Sequence, residues 1–293
     1  MANLNNASFF DGLAVSSDGT AYSLANNGSA LAIYDVETPY KSTVIELSGD
    51  LSTLSALDFR PATGELIGYD DASDSYVTVN VASGVVTSAS GDSVTPTDTN
   101  NLDIDWNPTI DRLRTVTESD QNIVYNPETG QASDAATTSL FYADGDVQAG
   151  TDPSIVANAY TNSVANAETT QQYALDHASN TLVTLANNAG TLTTVGTLTM
   201  DGQLLDFDAN AGFDIVTSEN GMNTAYATLV TNGEAALYSI NLENAEATKM
   251  GVVENAGVTV GANGGLYSAL GLDGTSFGID AGSDFAFNLG LTS

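Results

Sequence analysis

The stretch that decides the fold is Leu57-Asp-Phe-Arg-Pro-Ala-Thr-Gly64, an alternating apolar strand that runs directly into a proline and glycine turn. A variant returns over Leu102–Arg114, and a shorter version, Leu205-Asp-Phe-Asp208, appears later in the chain. Between them lie short alternating runs rich in Thr, Val, Tyr and Ser, bounded by turn residues and without a sustained helical period. The sequence therefore predicts an all-β protein.

The turn residues recur with a period of about forty to fifty residues, which is typical of propeller blades with four strands each. Such short units cannot bury an apolar face alone, so they must stack and close into a ring. We therefore predict a single β-propeller domain over residues 1–293 with about six blades, and a β-sandwich is the alternative. Residues 257–293 form a less regular sixth unit. The five clear units are Phe9–Gly49, Leu54–Gly91, Asn101–Thr138, Ser154–Met200 and Leu204–Glu254.

The second hairpin of several units has one design: an apolar strand, a polar turn, and a strand rich in Thr and Val. The turns are Val81-Ala-Ser-Gly84, Asn126-Pro-Glu-Thr-Gly130 and Ala186-Asn-Asn-Ala-Gly190. A tight hairpin or bulge needs a residue with positive φ, which glycine adopts without steric cost. We therefore expect a positive φ at each of the three closing glycines.

The charge balance excludes several classes of function. Asp and Glu number 37 against five Lys and Arg, which gives a formal net charge of -32. Because phosphate neutralisation requires Lys and Arg, we expect no nucleic-acid partner, and anionic lipid headgroups would repel the chain. No run approaches the ~20 apolar residues of a membrane span. The absence of cysteine and the single histidine exclude thiolate and multi-histidine metal centres, whereas the many carboxylates favour calcium.

Several ordered motifs stand out within the repeats. They are Asp58-Phe-Arg-Pro-Ala-Thr-Gly64, Asn107-Pro-Thr-Ile-Asp-Arg-Leu-Arg114, Asn126-Pro-Glu-Thr-Gly130, Ala143-Asp-Gly-Asp146 with Ala149-Gly150, and Val156-Ala-Asn-Ala-Tyr-Thr-Asn162. Together they resemble the signature of an uncharacterised bacterial family of exported proteins, the domain of unknown function 4394. The resemblance spans roughly residues 10–255 and implies a propeller-like all-β domain, without any catalytic residues to transfer. The extreme acidity and the segment after Gly257 depart from the family pattern.

Paired aspartates are the main candidate ligands. Asp103 with Asp105, and Asp206 with Asp208, have i and i+2 spacing, so each pair points to one face of a strand. Asp58 and Arg60 occupy the equivalent positions of the second unit. If these are innermost strands, the side chains line the central channel as a carboxylate ring that could hold calcium or a water cluster. Alternatively, each Asp accepts hydrogen bonds from turn amides next to it.

A second candidate cation site is the loop Tyr142–Asp146. Its Asp144 and Asp146 are followed by Asp152 further along the chain. The glycine between the two acids and the missing terminal Glu show that this is not an EF-hand loop. We retain Asp144, Asp146 and Asp152 as predicted metal ligands.

Three of the five basic residues, Arg60, Arg112 and Arg114, fall inside the two strongest motifs. A chain so poor in cations is expected to keep arginine where its fork of donors satisfies fixed carboxylates or carbonyls. Asp58 and Asp111 are the expected partners, so we predict structural ion pairs that tie blade to blade. A clamp for an anionic substrate is the alternative.

The end of the sequence is an alternating apolar run in which Phe285, Phe287, Leu289 and Leu291 would share one face of a strand. Three roles compete for residues 257–293: completing the last blade, adding a strand to a neighbouring subunit, or directing export. Strand addition predicts that these four side chains take part in assembly.

The sequence contains no Walker loop, dinucleotide fingerprint or catalytic triad. We therefore predict a secreted or cell-surface, non-catalytic structural or interaction protein that self-assembles into a surface layer, filament or matrix with divalent cations, calcium first among them. A carbohydrate- or metal-binding propeller module is the alternative, and a glycan-cleaving enzyme ranks third. The expected partners are further copies of the chain or a surface glycan.

Overall fold

The computed structural model describes residues 12–49, 53–70, 72–88, 101–134, 139–253, 255–260 and 266–267. Within these ranges the chain forms strands and turns and contains no helix. The 25 strands make six sheets, and five of the sheets stand around a common centre as the blades of a propeller. No helix in these ranges has the length and apolarity needed to cross a bilayer.

The first three blades are each an antiparallel sheet of four consecutive strands. Blade 1 contains β1 (Leu13–Val15), β2 (Thr20–Ala25), β3 (Ala30–Asp35) and β4 (Ser42–Glu46). Blade 2 contains β5 (Leu54–Phe59), β6 (Leu66–Asp70), β7 (Ser75–Val79) and β8 (Val86–Ser88). Blade 3 contains β9 (Leu102–Asn107), β10 (Arg112–Thr117), β11 (Asn122–Asn126) and β12 (Gln131–Asp134).

The last two blades repeat this arrangement, and short extra strands lie outside the four-stranded pattern. Blade 4 contains β14 (Ile155–Tyr160), β15 (Gln172–Asp176), β16 (Thr181–Ala186) and β17 (Thr191–Thr197). Blade 5 contains β20 (Ala211–Thr217), β21 (Asn223–Thr231), β22 (Glu234–Ile240) and β23 (Ala247–Val252). The extra strands are β13 (Phe141–Tyr142), β18 (Thr199–Met200), β19 (Gln203–Leu204), β24 (Asn255–Val260) and β25 (Leu266–Tyr267).

The first strand of each blade faces the centre, and these inner strands close a ring. Each of β1, β5, β9, β14 and β20 contacts the next in chain order, and β20 contacts β1. The predicted propeller is therefore confirmed, and the β-sandwich alternative is wrong. The five clear units correspond to the five blades.

The expected sixth unit does not form a blade of its own within the described residues. Its described part lies in β24 and β25, which extend the outer edge of blade 1 because β24 pairs with β4. The remainder of residues 257–293, including the four predicted assembly residues Phe285, Phe287, Leu289 and Leu291, lies outside the described residues.

The apolar core is divided among the blade interfaces. Five clusters of buried side chains occur, and each joins the facing sides of two neighbouring blades. Between blades 2 and 3, the Tyr76 ring lies 4.4 Å from Tyr125 and 5.4 Å from Tyr69. The Tyr76 hydroxyl also makes a 2.8 Å hydrogen bond with Thr115. Each blade thus buries its two faces only through its neighbours, as the repeat pattern predicts.

The glycine turns have the predicted conformation. Gly84, Gly130 and Gly190 have φ of 70, 67 and 67°. Each amide donates to the carbonyl four residues earlier, at 2.8, 2.9 and 3.0 Å. The left-handed glycine lets the chain reverse within one turn, so the outer hairpin of the blade is fixed by local sequence.

Ring closure brings the backbones of the first and last blades into direct contact. A Cβ atom on Gly212 of β20 would lie 2.6 Å from the carbonyl carbon of Gly12 and 2.6 Å from the amide nitrogen of Leu13. Real Cβ contacts do not reach such distances, so closure at this seam requires a residue without a side chain at position 212.

Gly212→Ala should therefore destabilise the closed ring by about 1–3 kcal/mol, because the added methyl group must push the inner strands apart. Chemical denaturation of the purified variant measures this change. Thr87→Ala, on the exposed face of β8, is the control and should stay within about 0.5 kcal/mol of the parent. Equal stability of the two variants would contradict the close contact at the seam.

Candidate functional site

Three aspartates from three blades meet at the centre of the ring. Asp58 on β5, Asp105 on β9 and Asp214 on β20 place one carboxylate oxygen each within 4.8 Å of one another. Their exposed fractions are only 5, 4 and 4%. Among the described residues this is the one place where three potential metal-ligating side chains come so close together. We call Asp58, Asp105 and Asp214 the central triad.

The sequence places these aspartates by alternation along the inner strands. Each lies between two apolar residues, in Leu57-Asp-Phe59, Ile104-Asp-Trp106 and Phe213-Asp-Ile215. Because successive side chains of a strand point to opposite faces, the apolar neighbours turn to one interface and the Asp to the other. The motif that decides the fold therefore also delivers a carboxylate to the centre.

Each triad carboxylate accepts an amide hydrogen from the inner strand of the next blade. Asp58 Oδ2 accepts from Trp106 N at 2.7 Å, and Asp105 Oδ1 accepts from Tyr160 N at 3.1 Å. Asp214 Oδ2 accepts from Val15 N at 2.5 Å and so bridges the last blade to the first. These bonds satisfy amides on the channel edge of the inner strands that would otherwise lack a buried partner.

Asp103 has the same role one level away on β9, since its Oδ2 accepts from Asn158 N at 2.9 Å. Asp103 is 1% exposed. Its charge contributes to the repulsion that raises the pKa of both Asp58 and Asp105. The predicted pair Asp103 and Asp105 therefore lies on an innermost strand, where both carboxylates accept amide hydrogens from β14 of the next blade.

Burial dominates the electrostatics of the triad. Removal from water raises the pKa of Asp58 and Asp105 well above the usual value, and repulsion among the neighbouring carboxylates raises it further. Burial raises the pKa of Asp214 to about 7, although amide hydrogen bonds from Val15 and Ile215 lower it. None of the ion pairs in the described ranges includes a triad residue, so no basic side chain there neutralises the cluster through an ion pair. Three such groups must therefore share protons or bind a cation.

Two predicted ligands lie elsewhere. Asp206 and Asp208 are exposed and precede β20, and Asp206 accepts a 3.2 Å hydrogen bond from Asn180 Nδ2. The buried residues of this segment are Leu205 and Phe207, which pack between blades 4 and 5, so the aspartates face outward. The prediction that this Asp pair lies on an innermost strand is wrong. The inner-strand aspartate of blade 5 is Asp214, which the same apolar-Asp-apolar pattern could have identified.

The second predicted metal loop is separate from the triad. Asp146 Oδ2 accepts from Thr194 N at 2.7 Å, and Oδ1 accepts from Thr194 Oγ1 at 2.7 Å and Gln148 N at 2.9 Å. Burial alone would raise its pKa, but these hydrogen bonds outweigh burial and lower it. Asp144 lines a cleft of about 530 Å³ beside β17. Asp152 lies near Asp120, whose pKa rises to about 6 through burial and then through repulsion from Asp152 and Asp176.

The arginines form contacts that differ partly from the prediction. Arg60 Nε donates to Asp111 Oδ1 at 2.8 Å, its Nη2 pairs with Asp111 Oδ2, and its guanidinium lies 5.0 Å from the centre of the Trp106 ring. This is an ion pair between blades 2 and 3, as expected. Asp58 does not pair with Arg60, because its side chain turns inward to the triad.

The other two arginines differ from each other in their partners. Arg112 Nη1 donates to the carbonyl of Asp111 at 2.8 Å, and its Nη2 lies 3.6 Å from Glu128 Oε2. The buried Arg114 donates instead to neutral oxygens of Asn122 at 2.8 Å and Tyr160 at 3.2 Å. The ion pairs found in the described ranges do not include Arg114, so the expectation of an ion pair there is wrong.

A cleft of about 490 Å³, lined by both polar and apolar side chains, opens where three inner strands end. One wall is the loop of residues 161–171, which two hydrogen bonds fix to blade 5: Asn162 N donates to Asn223 Oδ1 at 2.8 Å, and Asn223 Nδ2 donates to Asn162 Oδ1 at 3.0 Å. Ser163 N also donates to Thr217 Oγ1 at 2.8 Å. The lining includes Ser17, Asn162, Thr169, Thr217, Ser218 and Glu219. Sequence patterns gave no signal for this cleft, because its residues come from blades 1, 4 and 5.

The raised pKa values predict how stability changes with pH in the presence of a chelator. The folded triad holds protons that the unfolded chain, with Asp pKa near 3.9, has already released. The free energy of unfolding should therefore fall as pH rises from about 4 through about 7, by up to about 4 kcal/mol for Asp214 alone.

Asp214→Asn should flatten this dependence, since the amide oxygen still accepts from Val15 N but carries no titrating proton. Denaturation curves at a series of pH values measure the slope for both proteins. Asp206→Asn, at an exposed position, controls for the loss of one surface charge. An equal slope in the parent and the Asp214 variant would contradict a titrating triad.

Comparison with solved structures finds distant likenesses. An auxiliary nutrient binding protein from Bacteroides ovatus aligns with TM-score 0.48 and 13% identity, covering 76% of this chain and 57% of that chain. Its counterpart from Bacteroides thetaiotaomicron aligns with TM-score 0.47 and 12% identity, covering 88% of this chain and 59% of that chain. A virginiamycin B lyase from Staphylococcus aureus aligns with TM-score 0.42 and 11% identity, covering 84% of this chain and 70% of that chain. The chain thus spans under three fifths of the two nutrient binding proteins, and likenesses at this level support no inference about ligands or activity.

Curated proteins gave no match. Residues 30–262, which include most of the five blades, match the model of a family described as a domain of unknown function (DUF4394). This agrees with the resemblance carried by the motifs around Asp58 and Asn107. The chain belongs to the DUF4394 family.

Proposed function

We propose that the chain is a non-catalytic interaction propeller that acts outside the cell and whose ring is held closed by a calcium ion at the central triad. The observation that carries this proposal is the triad itself: three buried carboxylates from three blades, with oxygens within 4.8 Å and without a basic partner among the ion pairs of the described ranges. A divalent cation would remove the repulsion and link blades 2, 3 and 5 directly.

The ligand chemistry of the triad suits a hard cation. Calcium takes six to eight oxygen ligands at 2.3–2.6 Å and tolerates irregular geometry. Each triad carboxylate has a second oxygen besides the one that accepts an amide hydrogen. It can therefore coordinate calcium and keep its hydrogen bond to the next blade at the same time. Asp103 on the same strand as Asp105 adds negative charge nearby. Water molecules would complete the shell.

The same geometry argues against hydrolysis at the triad. A glycosidase places its two carboxyl groups about 5–9.5 Å apart, on either side of a substrate that enters from solvent. The triad oxygens are closer together, and the residues are about 95% buried, so a sugar cannot lie between them. A binding role therefore fits better than catalysis.

The composition supports a location outside the cell. Calcium sites of extracellular modules work at dissociation constants of about 10⁻⁴–10⁻³ M, where the ion is abundant. A net charge of -32 keeps the chain soluble and makes association between copies dependent on cations that screen the charge. The expected self-assembly into a layer, filament or matrix belongs to this proposal.

The cleft beside the loop of residues 161–171 supports a second function, carbohydrate binding. Its lining offers hydroxyl, amide and carboxylate groups, and the clamped loop of residues 161–171 fixes one wall. These polar groups accept and donate hydrogen bonds as sugar hydroxyls require. The volume of about 490 Å³ accommodates one or two sugar rings.

A calcium titration followed by thermal unfolding tests the main proposal. Calcium at one hundred times its dissociation constant should stabilise the parent by about 2.7 kcal/mol relative to chelator, a rise of about 5 °C in Tm. Asp58→Asn and Asp214→Asn should lose this rise, whereas Asp206→Asn, at an exposed position away from the triad, should keep it. An unchanged parent Tm, or an equal loss in the control, would exclude a cation at the triad.

Isothermal titration with neutral cello-, chito- and malto-oligosaccharides tests the second function. We expect at least one series to bind, and Ser17→Trp, which places a bulky ring in the cleft, to weaken that binding at least about tenfold. Thr87→Trp on blade 2 is the control and should bind as the parent does. No binding by any series, or equal binding by both variants, would reject the cleft as a sugar site.

A further inference from the structure

The outer edge of the blades is covered in a systematic way. In blade 4, β13 pairs in parallel with the outer strand β17, through Phe141↔Thr191 and Tyr142↔Leu192. In blade 2, Ser48 forms a parallel bridge beside β8, with its amide donating to Gly84 O at 2.9 Å. In blade 5, Thr199 forms a parallel bridge with Glu246 beside β23. In blade 1, β24 pairs in parallel with β4. In these four blades the outer strand is thus partly protected from pairing with other chains.

The origin of these covering segments differs in blade 1. Ser48, β13 and Thr199 each come from the segment just before the inner strand of the blade they cover. They are therefore joined covalently to that same blade. For blade 3 the corresponding residues, 89–100, lie outside the described ranges. Blade 1 is covered by β24, which follows blade 5, so this contact joins the last blade to the first at the rim.

The pairing of β24 has two properties that favour exchange. Its register is irregular, because Asn255 pairs with Ser42 and Thr259 with Val44, so three residues of β24 lie opposite one of β4. Such a ladder has fewer backbone hydrogen bonds than a regular one. β23 ends at Val252 and β24 begins at Asn255, and so short a connection in sequence favours domain swapping.

We propose that β24 is a closing strand that exchanges between molecules, so that β24 of one copy pairs with β4 of a second copy. The acceptor edge already binds this strand within one chain, and the same pairing in trans needs no new chemistry. Because donor and acceptor are different surfaces, the contact is heterologous and propagates into an open chain of propellers. This rests on the self-assembly in the proposed function and gives it a site and a partner, and it is independent of the central triad.

The net charge sets the condition for exchange. Two copies that each carry a charge of -32 repel one another, so the exchanged form should accumulate only when salt or calcium screens that charge. High sodium chloride with a chelator therefore separates screening from calcium binding at the triad.

Cysteine cross-linking tests the proposal, since the chain has no cysteine of its own. Ser42→Cys and Asn255→Cys variants, distinguished by a mass tag, each carry one thiol and can form a mixed disulfide only between chains. After mixing in calcium and mild oxidation, we expect the mixed dimer to form several-fold faster than with Thr43→Cys in place of Ser42→Cys, because Thr43 is out of register. The pair Val44→Cys and Thr259→Cys, also in register, provides a second readout should the Ser42 variant fold poorly.

Two results would overturn the exchange. The first is that the mixed dimer forms no faster than with the Thr43→Cys control in either of the two in-register pairs, while a Ser42→Cys, Asn255→Cys double variant forms its disulfide within one monomer. The second is the absence of any disulfide in that double variant, which would reject the β4 pairing itself. A mixed dimer in sodium chloride and chelator supports exchange even if calcium leaves the Tm unchanged, so failure of the triad proposal and failure of the exchange give different results.

Discussion

The fold depends on the burial of three carboxylates at the point where five inner strands converge. Each inner strand pairs along one edge within its blade, and the amides on its other edge face the channel. Asp58, Asp105 and Asp214 accept three of these amides from the next blade. The hydrogen bonds stabilise the ring, but they bring three acids together in a region that is almost closed to solvent. Protonation or a cation must offset that repulsion, so closure of the ring is linked to the solution around it.

Apolar packing and polar contacts do different work in this ring. The five clusters between blades give cohesion, and each joins only one pair of neighbours. The seam between blades 5 and 1 has no covalent connection through an inner loop, so it combines several contacts. Gly212 allows the backbones to touch, Asp214 accepts from Val15, and β24 covers β4 at the rim. The ring is therefore closed at the centre and at the rim by separate interactions, and each can respond to cations by a different mechanism.

The sequence predicts the architecture well because its signals are local. Alternation fixes which side chains face an interface, and glycines such as Gly84 fix the hairpins, so the five blades follow from neighbouring residues alone. Blade number is harder, because an alternating segment after residue 257 looks the same whether it forms a blade or a covering strand. For the described residues 255–260, the pairing of β24 with β4 shows a covering strand.

The site was predictable only in part, for the same reason. Asp103 and Asp105 were found because Ile104 and Trp106 alternate with them on a true inner strand. Leu205 and Phe207 alternate equally well in a linker, so Asp206 and Asp208 were mistaken for channel residues. Of the two partners expected for the arginines, Asp111 pairs with Arg60 across two blades, whereas Asp58, which is close to Arg60 in sequence, turns to the triad instead. Contacts between blades depend on ring closure, which a local pattern does not encode.

The most direct measurement is a crystal structure of the protein grown with calcium, refined beside one grown with chelator. Density for a metal ion between Asp58, Asp105 and Asp214, with oxygen distances of about 2.3–2.6 Å and present only with calcium, is the expected result. Identical maps in the two crystals, with water or no density among the three carboxylates, would contradict a cation-closed ring.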